Sequence, residues 1–118
     1  MAGAALVNYG PNPMGCQSYH YTADDTTPVD VTIEIGFYPS FVHVINLTTY
    51  EEHTWVKGMA LNTSIQRVAA GTATDETDQL LITAGAAEDG SGAGTNVTLT
   101  LEAAAQAADD TFTITIWP

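Results

Sequence analysis

Val29-Asp30-Val31-Thr32-Ile33-Glu34-Ile35 places an apolar residue at every odd position and a polar one at every even position. A two-residue period of this kind marks a strand with one buried and one wetted face. Asn96-Val97-Thr98-Leu99-Thr100-Leu101 and Thr111-Phe112-Thr113-Ile114-Thr115-Ile116-Trp117 alternate as cleanly, the latter with Phe112, Ile114 and Ile116 inward and its threonines outward. Phe41-Val42-His43-Val44-Ile45-Asn46-Leu47 is largely apolar on both faces, which predicts a strand covered on both sides or facing a partner. Residues 51–57 return from it around Trp55, after a turn near Thr48-Thr49-Tyr50, and residues 64–68 and 79–83 form shorter strands.

Three stretches break the pattern. Residues 71–78 are polar and read as a loop, and the Gly- and Ala-rich residues 84–94 read as an exposed loop. Glu102-Ala103-Ala104-Ala105-Gln106-Ala107-Ala108 has the strongest helix propensity in the chain, enough for about two turns. Residues 1–28 are punctuated by Pro11, Pro13 and Pro28 and predict an extended N-terminal arm rather than a helix or a central strand. The arm holds Leu6, Val7, Tyr9, Met14, Tyr19 and Tyr21, too apolar a set for a free linker, so it is expected to lie on a surface of its own domain or of a neighbour. About seven strands at short spacing with one short helix predict an all-β, single-domain β-sandwich or partly closed β-barrel. The organisation expected is an arm over 1–28 and a sandwich domain over 29–118.

Charge narrows the function classes. The chain of 118 residues carries 14 acidic side chains against only Lys57 and Arg67, a formal net charge of -12. Replacing counterions on a phosphate backbone takes several Lys or Arg, so no nucleic-acid partner is expected, and no anionic membrane surface either. No apolar run reaches the ~20 residues of a membrane span, and residues 1–7 lack the basic region of a secretory signal, so synthesis in a cytoplasm is expected. The single Cys16 excludes an intramolecular disulfide.

Candidate chemistry is thin. His20, His43 and His53 stand at no metal-ligand spacing, although His43 and His53 could meet across the central hairpin. The acidic pairs, such as Asp24-Asp25, Glu51-Glu52 and Asp109-Asp110, fall in expected turns and match no calcium-hand loop. No nucleophile elbow, phosphate loop or dinucleotide fingerprint is present. The reading is of a protein that is not an enzyme, with no cofactor and no metal.

The segment from Ile35 to Val68 resembles a family of small tailed-bacteriophage virion proteins. The resemblance is carried by Gly36-Phe37-Tyr38-Pro39, Val42-His43-Val44-Ile45-Asn46, Trp55-Val56-Lys57-Gly58-Met59 and Val68-Ala69-Ala70-Gly71-Thr72, with a small-residue turn at 104–112 before the last strand. It implies a virion component, most economically a head decoration (cement) protein on the capsid exterior, bound to the major capsid protein and assembled as a homotrimer. Alternatives are a tail-tube or connector subunit, and a carbohydrate-binding module on the virion, which would show exposed aromatics beside Asp24, Asp25 or Asp89. For partner binding the residues singled out are Tyr9, Tyr19 and Tyr21 of the arm, with Phe41, Tyr50 and Trp55 of the hairpin.

Overall fold

The computed structural model describes residues 3–11, 15–83 and 97–118. Their strands form two antiparallel sheets. In chain order they are β1 (Ala5–Pro11), β2 (Gln17–Thr22), β3 (Val31–Glu34), β4 (Phe41–Asn46), β5 (Glu52–Val56), β6 (Thr63–Arg67), β7 (Ala73–Thr77), β8 (Leu80–Thr83), β9 (Thr98–Leu101) and β10 (Thr111–Trp117). The larger sheet has seven strands in the order β1-β2-β10-β4-β5-β6-β7, and the smaller has three in the order β3-β9-β8. Neither sheet closes on itself, so of the two architectures expected the chain adopts the sandwich.

Alternation explains the core. Tyr19 and Tyr21 of β2, Phe112, Ile114 and Ile116 of β10, Val42 and Val44 of β4 and Trp55 of β5 share the inner face of the large sheet. They pack with Ile33, Leu80, Ile82, Leu99 and Leu101 from the small sheet in one buried cluster. The layers are tied at both flanks of the small sheet. Gln17 donates from its side chain to the Ile35 carbonyl at 3.3 Å, and the Ile82 amide donates to the Leu61 carbonyl at 2.8 Å. These ties reach β2 on one side and the lead into β6 on the other, and β1 and β7 lie beyond them.

The turn between β4 and β5 is built by Asn46. Its buried Oδ1 accepts from the amides of Thr48 and Thr49 at 2.9 and 3.1 Å, while its Nδ2 donates to Asp110 Oδ2 at 2.8 Å. Tyr50 then closes the turn in the left-handed region, at φ 64°. Gly58, at φ 105°, makes the reversal after Trp55, a conformation that disfavours any side chain.

Several expectations are corrected. Residues 5–11 and 17–22 are strands of the large sheet rather than a separate arm or loop, and β2 is an interior strand between β1 and β10. Its Tyr19 and Tyr21 alternate inward against Ser18, His20 and Thr22, which pays the ordering cost that the flanking prolines had obscured. Residues 73–77, read as loop, are edge strand β7, which buries neither face and so lacks any apolar signal. The expected helix at 102–108 is a single 3-10 turn, Ala103–Ala105. Asp30 Oδ1 accepts from the Ala103 amide at 2.7 Å, and Gln106 Nε2 donates to the carbonyls of Val29 and Leu101, so tertiary bonds override alanine propensity. The loop expected at 84–94 lies outside the described residues.

Candidate interaction face

The small sheet covers one face of the large sheet, and no described strand covers the other. On that outer face Thr113 of β10 stands between His20 of β2 and Ile45 of β4, and Thr115 stands between Ser18 and His43. Trp117 stands opposite Phe41, and their rings meet edge to face at 5.0 Å between centroids. The Phe41 ring also lies 6.2 Å from the His43 ring, and the His43 Nε2 is 2.8 Å from Glu52 Oε1. Ser40, Phe41, Trp117 and Pro118 line a wide depression of about 460 Å³ at one end of the face. Val7, at 47 % exposure, Trp117, at 38 %, and half-buried Ile45 present apolar surface to solvent.

Charge is segregated across this sheet. β1, β2, β10 and β4 are adjacent, and none contains Asp, Glu, Lys or Arg. The charged residues of the large sheet all sit on the remaining three strands: Glu52 on β5, Arg67 on β6, and Asp75 and Glu76 on β7. In a chain of net charge -12 this leaves one half of the face without a formal charge.

The residues singled out from the sequence are not brought together. Tyr19, Tyr21 and Trp55 are core residues, so they are not available to a partner, and their hydrogen bonds are internal. Trp55 Nε1 donates to the Ala60 carbonyl at 3.2 Å and its ring meets Tyr38 edge to face at 5.9 Å. Tyr21 donates from its hydroxyl to Gln106 Oε1. Tyr9 and Tyr50 are each 67 % exposed, one on β1 and the other at the tip of the β4–β5 turn, while Phe41 is half-buried within the outer face. Trp117 and Ile45 are not among the residues that the sequence singles out for contact, and Val7 enters there only with the apolar set of the arm. The signal for Trp117 was available, because the alternation that sets Phe112, Ile114 and Ile116 inward sets Trp117 outward with the threonines.

The titratable groups of the interior serve the fold. His43 and His53 do not meet: His43 stands opposite Thr54 on the outer face, whereas His53 stands opposite Val44 on the inner one. Burial pushes the His53 imidazole below its ordinary pKa, against a smaller upward pull from Glu51 and Glu76. Its Nδ1 and the nearby-strand Ser64 Oγ are buried and find no hydrogen-bond partner among the described residues. A polar cavity of about 190 Å³ lies at one end of the sandwich between Asn46, Glu51, Gln66, Gln79, Gln106 and Asp110. Its carboxylates are engaged: Glu51 accepts from Gln66 Nε2 at 2.7 Å, and Asp110 Oδ2 accepts from Asn46 and from the Ala107 amide. Among the described residues no three His, Cys, Asp or Glu side chains are placed to share a metal ion. Asp24 caps its own turn through the amides of Thr26 and Thr27, which hold its carboxyl below the usual range. Tyr21, whose hydroxyl feels the Asp24 charge, is buried and offers no ring for a sugar to stack on, and Asp89 lies outside the described residues.

No protein-family model, no curated protein and no solved structure matches the chain.

Proposed function

We propose that the chain is a non-enzymatic structural protein of a tailed-phage virion, a head decoration protein that docks the uncharged half of its large sheet on the outer surface of the capsid. The observation that carries this reading is the charge segregation. Outward positions of a sheet tolerate almost any polar residue, so four adjacent strands free of formal charge in so acidic a chain need a reason other than folding. Contact supplies one. The centre of a stable interface is depleted in charge and rich in aromatic and apolar groups, as Phe41, Trp117, Ile45 and Val7 are here. The phage assignment itself rests on the Gly-Phe-x-Pro and Trp-x-x-Gly-Met motifs, the first leading into β4 and the second running from the end of β5 into the reversal after it.

Such a protein works mechanically. Binding to the assembled shell and not to its dissociated subunits stabilises the shell by mass action, and no bond is made or broken. The acidic side chains left outside the contact would give the particle a negative exterior that keeps particles apart.

The test is to mix the purified protein with expanded, undecorated shells of its phage and separate bound from free by sedimentation. Saturable binding that raises the melting temperature of the shell is expected. Absence of binding would overturn the reading, and retention on tail tubes or on glycans instead would favour one of the two other virion roles.

A further inference from the structure

The two edges of the large sheet differ in kind. β7 closes one edge and carries Asp75 and Glu76, followed at once by Asp78. Charges on an edge strand are a common means of preventing strand addition, because two such edges oppose their carboxylates when they meet. β1 closes the other edge, and among the described residues β2 is the one strand it pairs with. It has none of that protection. No Asp, Glu, Lys or Arg occurs anywhere in the chain before Asp24.

β1 is also apolar on both faces. Leu6 pairs with Tyr21 and therefore points to the core side, yet it is 40 % exposed because the small sheet is tied no farther out than β2. Val7 points to the outer side and is likewise exposed. The pairing with β2 is regular over Ala5 to Asn8 and shifts register before Pro11, so the flat part of the edge is short and centred on Leu6 and Val7.

We infer that β1 is a self-docking edge, at which β1 of a second copy adds antiparallel across a two-fold axis and continues the sheet. Charge selects the occupant. A basic partner would be drawn to the acidic strands, whereas a second copy, itself at -12, is repelled from them and meets no carboxylate at this edge. Antiparallel pairing about a two-fold through Val7 sets that residue against its own counterpart and Leu6 across from Asn8 of the second copy, and with the β7 edge blocked the assembly closes at two subunits. This places a dimer where the resemblance to decoration proteins implies a trimer. It also joins two uncharged half-sheets into one continuous face, but it does not depend on a capsid being what that face binds.

The experiment is sedimentation velocity of the full chain over a range of concentrations, with Val7→Glu and Asp75→Asn as variants and circular dichroism as the check on folding. The wild type is expected to pass from monomer to dimer, Val7→Glu to dissociate at least about tenfold more readily through opposed carboxylates at the axis, and Asp75→Asn to match the wild type. Hydrogen exchange on the wild type supplies a readout without mutation, with the amides among residues 5–8 that point away from β2 slowing as the dimer forms. A monomer at every concentration, a trimer or open-ended polymer, a dimer indifferent to Val7→Glu, or no slowing at 5–8 would each overturn the inference. Shell binding by a strictly monomeric protein would overturn it while leaving the proposed function intact.

Discussion

The two halves of the large sheet solve the same folding problem with different residues. Both bury an inner face against the small sheet, but β2, β10 and β4 do so mainly with Tyr, Phe, Ile and Val, whereas β5 and β6 contribute Trp55 beside the buried polar residues His53 and Ser64. Their outer faces differ more. β5, β6 and β7 bear Glu52, Arg67 and Asp75 outward, and β1, β2, β10 and β4 bear no formal charge. The inner faces are constrained by packing, so their composition speaks of stability. Outer positions are nearly free of that constraint, so a systematic absence of charge there speaks of contact.

The most severe way to break the comparison is to remove its centre. Deleting residues 111–118 takes out β10, which separates β2 from β4 and carries the fully buried Phe112, Ile114 and Ile116. Loss of cooperative melting is expected, whereas Asp75→Asn on the charged edge should leave the melting temperature nearly unchanged; calorimetry of both checks this. The two tryptophans sharpen the contrast. Trp55→Ala empties a fully buried site and should cost about 3–5 kcal/mol in denaturant titrations. Trp117→Ala, on the outer face, should cost markedly less stability and should instead weaken shell binding.

Asn46 sits at the end of β4, the strand that borders the charged half, and fixes the turn into it. Asn46→Ala frees the amides of Thr48 and Thr49 and leaves buried Asp110 without one of its donors. Chemical denaturation should show a loss of about 1–3 kcal/mol.

The smallest effect expected is the pH response of the charged half. Burial holds the folded pKa of His53 below its unfolded value. Above about pH 6.5 both states are neutral at this site, and as pH falls below that value the unfolded chain takes up the proton first. Stability is therefore lost on acidification toward the folded pKa. Melting curves at about pH 7.5 and about pH 5.5 should show a decline that is shallower in His53→Leu, and the difference between the two proteins removes the general effect of discharging carboxylates.

Much of the sandwich is legible in the sequence where one face is buried. Val31–Glu34 and Thr111–Trp117 fall within alternating runs because every second residue meets the core. β7 is illegible for the opposite reason, since an overhanging edge buries neither face and leaves Ala73–Thr77 looking like a loop. β2 was hidden by its neighbours: Tyr19 and Tyr21 alternate correctly, but prolines on either side and polar residues between them read as an arm. The interaction face is the least legible feature. Its strands come from 5–11, 17–22, 41–46 and 111–117, and their lack of charge becomes one surface only when the fold lays them side by side. Aromatic character alone does not separate contact from core: of the residues singled out, Tyr19, Tyr21 and Trp55 are aromatic for the sake of the core.

The most direct test places one carboxylate on each half of the outer face. Thr115→Glu puts it between Ser18 and His43 in the uncharged half, and Thr77→Glu puts it opposite Thr63 in the charged half. Both variants change the net charge equally and replace an outward threonine. Co-sedimentation with expanded, undecorated shells should show Thr115→Glu binding at least about tenfold more weakly than the wild type, because a carboxylate at the centre of the contact must be stripped of its water on binding, and Thr77→Glu binding as the wild type does. Equal binding by the two variants, strong or weak, would contradict the assignment of the uncharged half as the docking surface.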